Sequence, residues 1–515
     1  MRNIRLVVLF LLAAVVLAGC GTSSGGSSGA NDPAAVVPAT APLYAEATVQ
    51  PSGSVGTNAQ AALRKILRTN DPGTTITNAL EKAANKNGGL SFKNDIEPWL
   101  GDKVGAAVTA LHGKQKADYI VVAASKDDTK ANDALAKQKG DIVKRSYKGV
   151  DYRFDRKDST AAAVVDHRVV IGTEAGLRSA IDASKGTSLA ASNDLQAIRS
   201  KVAQDRVGLF YLDVQGLVRA LASSSDPQSG AILQATSGAA PKAIGAALQA
   251  QADLLRIDAV SIGTPQSATT GASGADALAA LPADSWLGLG VANLGQSADK
   301  ILESVANSGG LTGVGVNALL SQFKQKTGLD LRQDVLSWMG DAGVFVAGTS
   351  HTDLRGALVV KTSDPAKTKS TIDALRRLVG ASSGVHISAL RASGADAGFT
   401  VRPSSGPHVN VGLAGDKFVV AVGNTSAFSE AARSSGATLG SSSTFTDAAS
   451  KLGNGLRPSL FLDFPQVVKL IDAMAGNQAE FQMAKPYLQT FGPVVAGGKD
   501  EGNGIVRYRF AVTLR

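Results

Sequence analysis

The residue with the most definite chemistry is the chain's one cysteine, Cys20, which closes the run Leu17-Ala18-Gly19-Cys20. Ahead of it stand Arg2 and Arg5 and an uncharged apolar stretch from Leu6 to Leu17, the order of a cleaved secretory leader. That stretch is shorter than the roughly 20 residues a membrane-spanning helix needs. A small-small-Cys ending is what a lipoprotein signal peptidase reads, so cleavage before Cys20 and lipidation of its thiol are expected. Two or more acyl chains, at ~0.8 kcal/mol per buried methylene, hold a protein stably on a bilayer. With its single thiol modified, the chain has no route to an intramolecular disulfide.

Other chemistry-bearing patterns are weaker. Gly-x-Ser-x-Gly occurs at Gly21–Gly25, Gly25–Gly29 and Gly380–Gly384, but a nucleophile elbow needs a strand before it and a helix after it, and none has that setting. Ser297–Lys300 and Ser321–Lys324 fit Ser-x-x-Lys, and Lys326-Thr327-Gly328 follows the second within two residues. Penicillin-binding enzymes place that last element on a strand far downstream, so the layout argues against them. His112, His167, His351, His386 and His408 are scattered, with no pair at metal-binding spacing. No phosphate-cradling glycine loop is present. No catalytic residue, metal or cofactor is therefore expected. Acids recur at matching points, Asp102 with Asp341 and Asp213 with Asp463, and are expected to close turns or cap helices. Trp99 and Trp338 are expected to anchor cores.

The elements that must position these residues occur twice. Val37-Pro38-Ala39-Thr40-Ala41-Pro42-Leu43-Tyr44 is echoed by Leu281-Pro282-Ala283-Asp284-Ser285-Trp286-Leu287, and Asp95-Ile96-Glu97-Pro98-Trp99-Leu100-Gly101-Asp102 by Asp334-Val335-Leu336-Ser337-Trp338-Met339-Gly340-Asp341. Val169-Val170 answers Val419-Val420, and Leu209-Phe210-Tyr211-Leu212-Asp213 answers Ser459-Leu460-Phe461-Leu462-Asp463. A period near 240 residues is that of a duplicated domain, not a solenoid. Each half is expected to open on a strand (43–49, 286–291) and to continue with helices (60–68 and 75–86 in the first half). A hairpin (104–111 with 119–124; 342–347 with 355–361) and an amphipathic helix (127–138, 365–378) follow. Strands over 164–171 and 409–422, the latter turning at Ala414-Gly415-Asp416-Lys417, and closing strands over 254–262 and 504–514 complete the reading. The expected fold class is α+β, two homologous tandem domains, each a mainly antiparallel sheet with helices on one face. The expected organisation is a signal peptide at 1–19, a Gly/Ser tether at 20–32, a first domain at 33–263, a linker at 264–275 and a second domain at 276–515.

The 515-residue chain has 44% hydrophobic but only 5% aromatic residues, and a net charge of +9 spread among interleaved acids. Mixed charge of that kind speaks against nucleic acid as a partner. The segments Val37–Ala47 and Asp95–Gly101, in that order behind the lipidation signal, resemble the bacterial family catalogued as domain of unknown function 3352. The resemblance covers nearly the whole chain after the leader and implies no catalytic residues. Three readings follow: a lipid-anchored, extracytoplasmic binding or scaffold protein of the cell envelope; a carrier of a lipid or other apolar ligand; and an envelope hydrolase built from distant residues such as Asp102, Asp213 or His167. The expected partners are the membrane, through the N-terminal lipid, and a lipid or envelope protein as ligand.

Overall fold

In a computed structural model the described residues are 32–112, 116–224, 240–264, 274–307, 316–350, 352–381, 384–433, 435–453 and 455–515. The leader, Cys20, the tether before Asp32, linker residues 265–273, His351 and the serines of Gly380–Gly384 lie outside them. Two compact units divide after Thr264.

Among the described residues, alternating and continuous apolar runs form ten strands in the first unit: β1 (Leu43–Thr48), β2 (Leu100–His112), β3 (Lys116–Ser125), β4 (Ile142–Tyr147), β5 (Val150–Asp155), β6 (Thr160–Val165), β7 (Arg168–Thr173), β8 (Gly208–Asp213), β9 (Ala243–Gln251) and β10 (Leu254–Ile262). Their antiparallel pairings give the order β10-β9-β8-β1-β2-β3-β7-β6-β5-β4, with the first strand in the interior of the sheet. The second unit has β11 (Ser285–Val291), β12 (Met339–Ala347), β13 (Arg355–Thr362), β14 (Val385–Ala389), β15 (Ala397–Pro403), β16 (Val409–Ala414), β17 (Lys417–Val422), β18 (Arg457–Leu462), β19 (Phe491–Gly502) and β20 (Ile505–Leu514). Its order is β20-β19-β18-β11-β12-β13-β17-β16-β15-β14, the same topology. The fold is α+β.

Helices cover both sheet faces of each unit, which corrects the expectation of helices on one face. In the first unit, Leu177, Ile181, Leu195 and Ile198 of helices Glu174–Lys185 and Asn193–Lys201 share a core with Tyr44, Ile120, Ala161 and Val170. Ala131, Ala134 and Leu135 of helix Asp128–Ala136 pack with Trp99, Val104, Ala162 and Val169 on the other side. Adjacent residues Ala161 and Ala162, like Val169 and Val170, point into different cores because successive side chains of a strand alternate. The unbroken run Ala161–Val165 already carries this information, since a strand buried on both faces reads as continuous rather than alternating apolar sequence. In the second unit, helix Pro365–Gly380 packs Ile372 against Trp338, Phe399 and Phe418. Helix Thr425–Ala432 lies on the opposite face, where a Cβ on Gly412 would come within 3.0 Å of the Phe428 ring.

The segment 164–171 is not one strand but the turn of a hairpin, with Asp166 and His167 at φ 46° and 60° between β6 and β7. Two consecutive positive φ values are what a two-residue hairpin turn needs. The matching hairpin β16–β17 turns at Gly415-Asp416, and its register aligns Arg168 with Lys417, so Val169-Val170 answers Phe418-Val419, one residue from the sequence match. A one-residue slip exchanges the two faces of a strand, which makes the distinction consequential.

Close approach of layers is set at Gly245 on β9, where an added Cβ would lie 2.0 Å from Cγ2 of the fully buried Ile198. Gly245→Ala is expected to cost about 1–3 kcal/mol by overpacking. Urea unfolding of the variant, with an unchanged slope and a lower midpoint, checks this.

Candidate functional site

Two of the four recurring acids use their carboxylates in local structure. Asp213 ends β8 and accepts the amide of Gly216 at 2.8 Å, capping helix Val214–Ser224. Asp341 accepts the amide of Asn293 at 2.9 Å. The carbonyl of Asp102 accepts the amide of Val49 at 2.8 Å. The turn before each tryptophan is closed by an acid that the sequence reading did not single out. Asp95 accepts the amide of Ser91 at 2.8 Å while its carbonyl accepts the Trp99 indole N–H at 2.7 Å; Asp334 does the same for Asp330 at 2.7 Å and Trp338 at 3.0 Å. The acid-to-Trp spacing is identical in both segments, and that was the available signal.

Asp463, the counterpart of Asp213, differs. Its Oδ1 is buried without a hydrogen-bond partner, and burial raises its carboxyl above the usual range. A raised folded-state value means that the carboxyl favours the fold at low pH and that this contribution is lost as pH rises through it. Asp463→Asn removes the charge, so the thermal midpoint at pH 7 is expected to rise.

The four histidines among the described residues do not converge. His112 pairs with Asp118 and His167 with Asp128, each at 2.7 Å and each imidazole largely exposed. His386 lies on β14, and His408 precedes β16. Among the described residues no three His, Cys, Asp or Glu side chains are grouped as a metal site requires. Ser297 donates to the carbonyl of Ala292 at 3.3 Å, and Thr327 to that of Phe323 at 2.7 Å.

What the fold does bring together is a set of charges at the end of β1. Glu46 points to the same face as Tyr44, two residues earlier, and its side chain is only 5% exposed. The Tyr44 hydroxyl donates to Glu46 Oε2 at 2.8 Å, and Arg199 Nη2 donates to the same oxygen at 2.6 Å. Arg199, on helix Asn193–Lys201, also holds Asp32 by two bonds of 2.6 and 3.0 Å. Burial opposes ionisation of Asp32, but the bonds and charge of Arg199 outweigh it and hold the carboxyl below its usual range. Burial and the neighbouring Glu46 and Asp32 charges push the Tyr44 phenol well up. Arg206 stands 3.9 Å from Glu46 Oε1. Beside this cluster opens a cleft of about 100 Å³ lined by Glu46, Thr48, Lys103, Gln204, Arg206 and Gly208.

The fold does not require these charges. With Leu43 aligned to Leu287 by their shared cross-strand partners Leu212 and Leu462, Tyr44 and Glu46 correspond to Gly288 and Gly290. A sheet of the same topology therefore forms with glycine at both positions. Buried ion pairs add little net stability relative to apolar packing, so a cluster dispensable to the topology is the first place to look for function. The signal was legible as Tyr44-Ala45-Glu46: if Tyr44 faces the core, so does Glu46.

Among the described residues no helix is long and apolar enough to cross a membrane. Residues 4–493 match the model of a family described as a protein of unknown function (DUF3352). No curated protein matches the chain. Crystal forms III, I and IV of TP0453 are similar to part of it, at 10, 12 and 9% sequence identity and a TM-score of 0.25 each. They cover 45, 46 and 46% of this chain and 80, 80 and 83% of their own. Similarity of that degree assigns neither fold nor function.

Proposed function

The chain belongs to the DUF3352 family, proteins of unknown function, and on that premise we propose that it is a lipid-anchored, extracytoplasmic protein of the cell envelope that binds or scaffolds and does not catalyse. The observation that carries this reading is the position of the only cysteine, Cys20, directly behind a charged, apolar and small-residue leader and ahead of a Gly/Ser-rich tether. Thiol lipidation there would put the protein on the outer face of the membrane, with the tether giving it reach.

The two units are read as tandem copies of one ancestral domain. The common strand order supports this, as do paired details: the amide of Leu189 donates to Val37 and that of Leu439 to Leu281, both at 2.7 Å. Binding is supported by exposed apolar side chains on two adjacent helices of the second unit, Phe464–Ala475 and Ala479–Leu488: Met474 at 61%, Met483 at 70% and Tyr487 at 52%. Apolar groups in water on neighbouring elements are the usual mark of a contact surface.

In the native host, wild-type protein is expected in the membrane fraction and in the detergent phase of a Triton X-114 partition, with a diacylglyceryl-modified N-terminal peptide by mass spectrometry. Cys20→Ser is expected to lose the modification and leave the detergent phase. An unmodified Cys20 in the wild type would overturn the anchor. Native mass spectrometry before and after organic extraction tests the carrier alternative, which requires a discrete extra mass that extraction removes.

A further inference from the structure

Two cations of the first unit face the cleft without a carboxylate in hydrogen-bond contact. Arg206 lies 3.9 Å from Glu46, and its Nη1 is spent on the Ala203 carbonyl at 3.0 Å and Gln204 Oε1 at 3.4 Å. Lys103 lines the same cleft and has no ion pair among the described residues, only a longer-range attraction to Asp32. Arg199, Arg206 and Lys103 face the two carboxylates Asp32 and Glu46, leaving one positive charge in excess. Glu46 spends its Oε2 on Tyr44 and Arg199, and its Oε1 faces Arg206 only at 3.9 Å.

Lys103 reaches this place through a local irregularity. On β2 the bulge between Leu100 and Val104 holds three residues, Gly101, Asp102 and Lys103, whereas on β12 the one between Met339 and Ala342 holds two, Gly340 and Asp341. The extra residue sets Lys103 opposite Thr48, at the cleft. Bulges commonly re-aim one side chain next to a site.

We propose that this cleft binds a phosphate group between the Lys103 ammonium and the Arg206 guanidinium, with the Thr48 hydroxyl as a further donor. About 100 Å³ is room for several waters, which fits a small oxyanion. Lysine supplies a point charge and arginine a planar fork, a pairing suited to a tetrahedral oxyanion. Burial lowers the pKa of Arg206 and Glu46 opposes that, so a bound anion would satisfy a cation that the protein alone leaves under-compensated. The proposal deepens the binding reading by naming the ligand chemistry, and it does not depend on the anchor.

Full-length protein in non-ionic detergent micelles is titrated with inorganic phosphate, against sodium chloride at matched ionic strength, by calorimetry and by thermal unfolding. Saturable binding and a raised unfolding midpoint are expected, with at least tenfold weaker binding in Lys103→Ala and Arg206→Gln and unchanged binding in the distant surface variant Lys157→Ala. A second arm replaces free phosphate by micelles doped with phosphatidylglycerol or phosphatidylcholine. Binding only to the phosphatidylglycerol micelles, lost in Lys103→Ala but not in Lys157→Ala, would identify a lipid headgroup as the source of the phosphate. No binding in either arm, or equal binding by Lys103→Ala and Lys157→Ala, overturns the site. Neither arm reads lipidation, so failure of the anchor and failure of the site are separable.

Discussion

Replacing Arg199 by Met is expected to destabilise the first unit by about 3–5 kcal/mol, the usual consequence of removing one partner from a buried ion pair. The loss is large because one guanidinium serves two carboxylates, Asp32 and Glu46, with side chains only 14% and 5% exposed. Hydrogen exchange read by mass spectrometry checks this by location: peptides from β1 and β8 should lose protection while those from β11 and β18 keep it. Carrying Asp32→Asn and Glu46→Gln alongside Arg199→Met should restore much of the loss, because no buried charge is then left uncompensated. The pH dependence has a definite sign. Asp32 ionises more readily in the fold than in the unfolded chain, so its contribution is complete above the unfolded value of about 3.9 and is lost as pH falls through the lower folded value. Wild-type stability should therefore drop below about pH 4, and the gap between wild type and Arg199→Met should narrow there. A gap that stays constant from pH 7 to pH 3 would show that Arg199 acts through packing and not through its charge.

Trp338→Ala is the second large effect, about 3–5 kcal/mol in the second unit. Trp338 is 1% exposed, its ring meets Phe418 edge-on at 5.4 Å, and its indole N–H reaches the Asp334 carbonyl at 3.0 Å. Truncation therefore opens a cavity and leaves a turn carbonyl short of a donor. Trp338→Phe keeps most of the apolar contact and should cost distinctly less. Chemical denaturation of the two variants separates the cavity from the lost hydrogen bond. Equal losses would mean that the indole N–H, rather than the ring volume, holds the turn.

The parts of this fold legible in the sequence are those where one short segment carries its own pattern. Closing strands at 254–262 and 504–514 are seen almost as read, at Leu254–Ile262 and Ile505–Leu514, and the hairpin over 409–422 turns at Gly415-Asp416 as expected. The strands Ile142–Tyr147 and Val150–Asp155 were not named from sequence, because Lys144, Arg145, Asp151 and Arg153 interrupt the apolar pattern. Their pairing decides the matter: Arg145 and Tyr152 both reach Glu174 on the next helix. The charge cluster was hidden for a different reason. Asp32 and Glu46 lie at least 153 residues from Arg199 and Arg206, and no local period links residues that only the neighbours of a central strand bring into contact. Helices on both faces are written in the continuous apolar run Ala161–Val165, which has no polar side to leave in water and begins ahead of the expected strand 164–171.

The interior position of the first strand has a consequence for how the protein comes to be folded. β1 meets β2 after about 50 further residues but its other neighbour, β8, only after about 160, and β11 waits over a comparable stretch for β18. Until that pairing forms, each opening strand keeps one unpaired edge. Pairings so distant in sequence form slowly and leave that edge open to other chains in the meantime. The exposure comes twice in this chain, once for each opening strand.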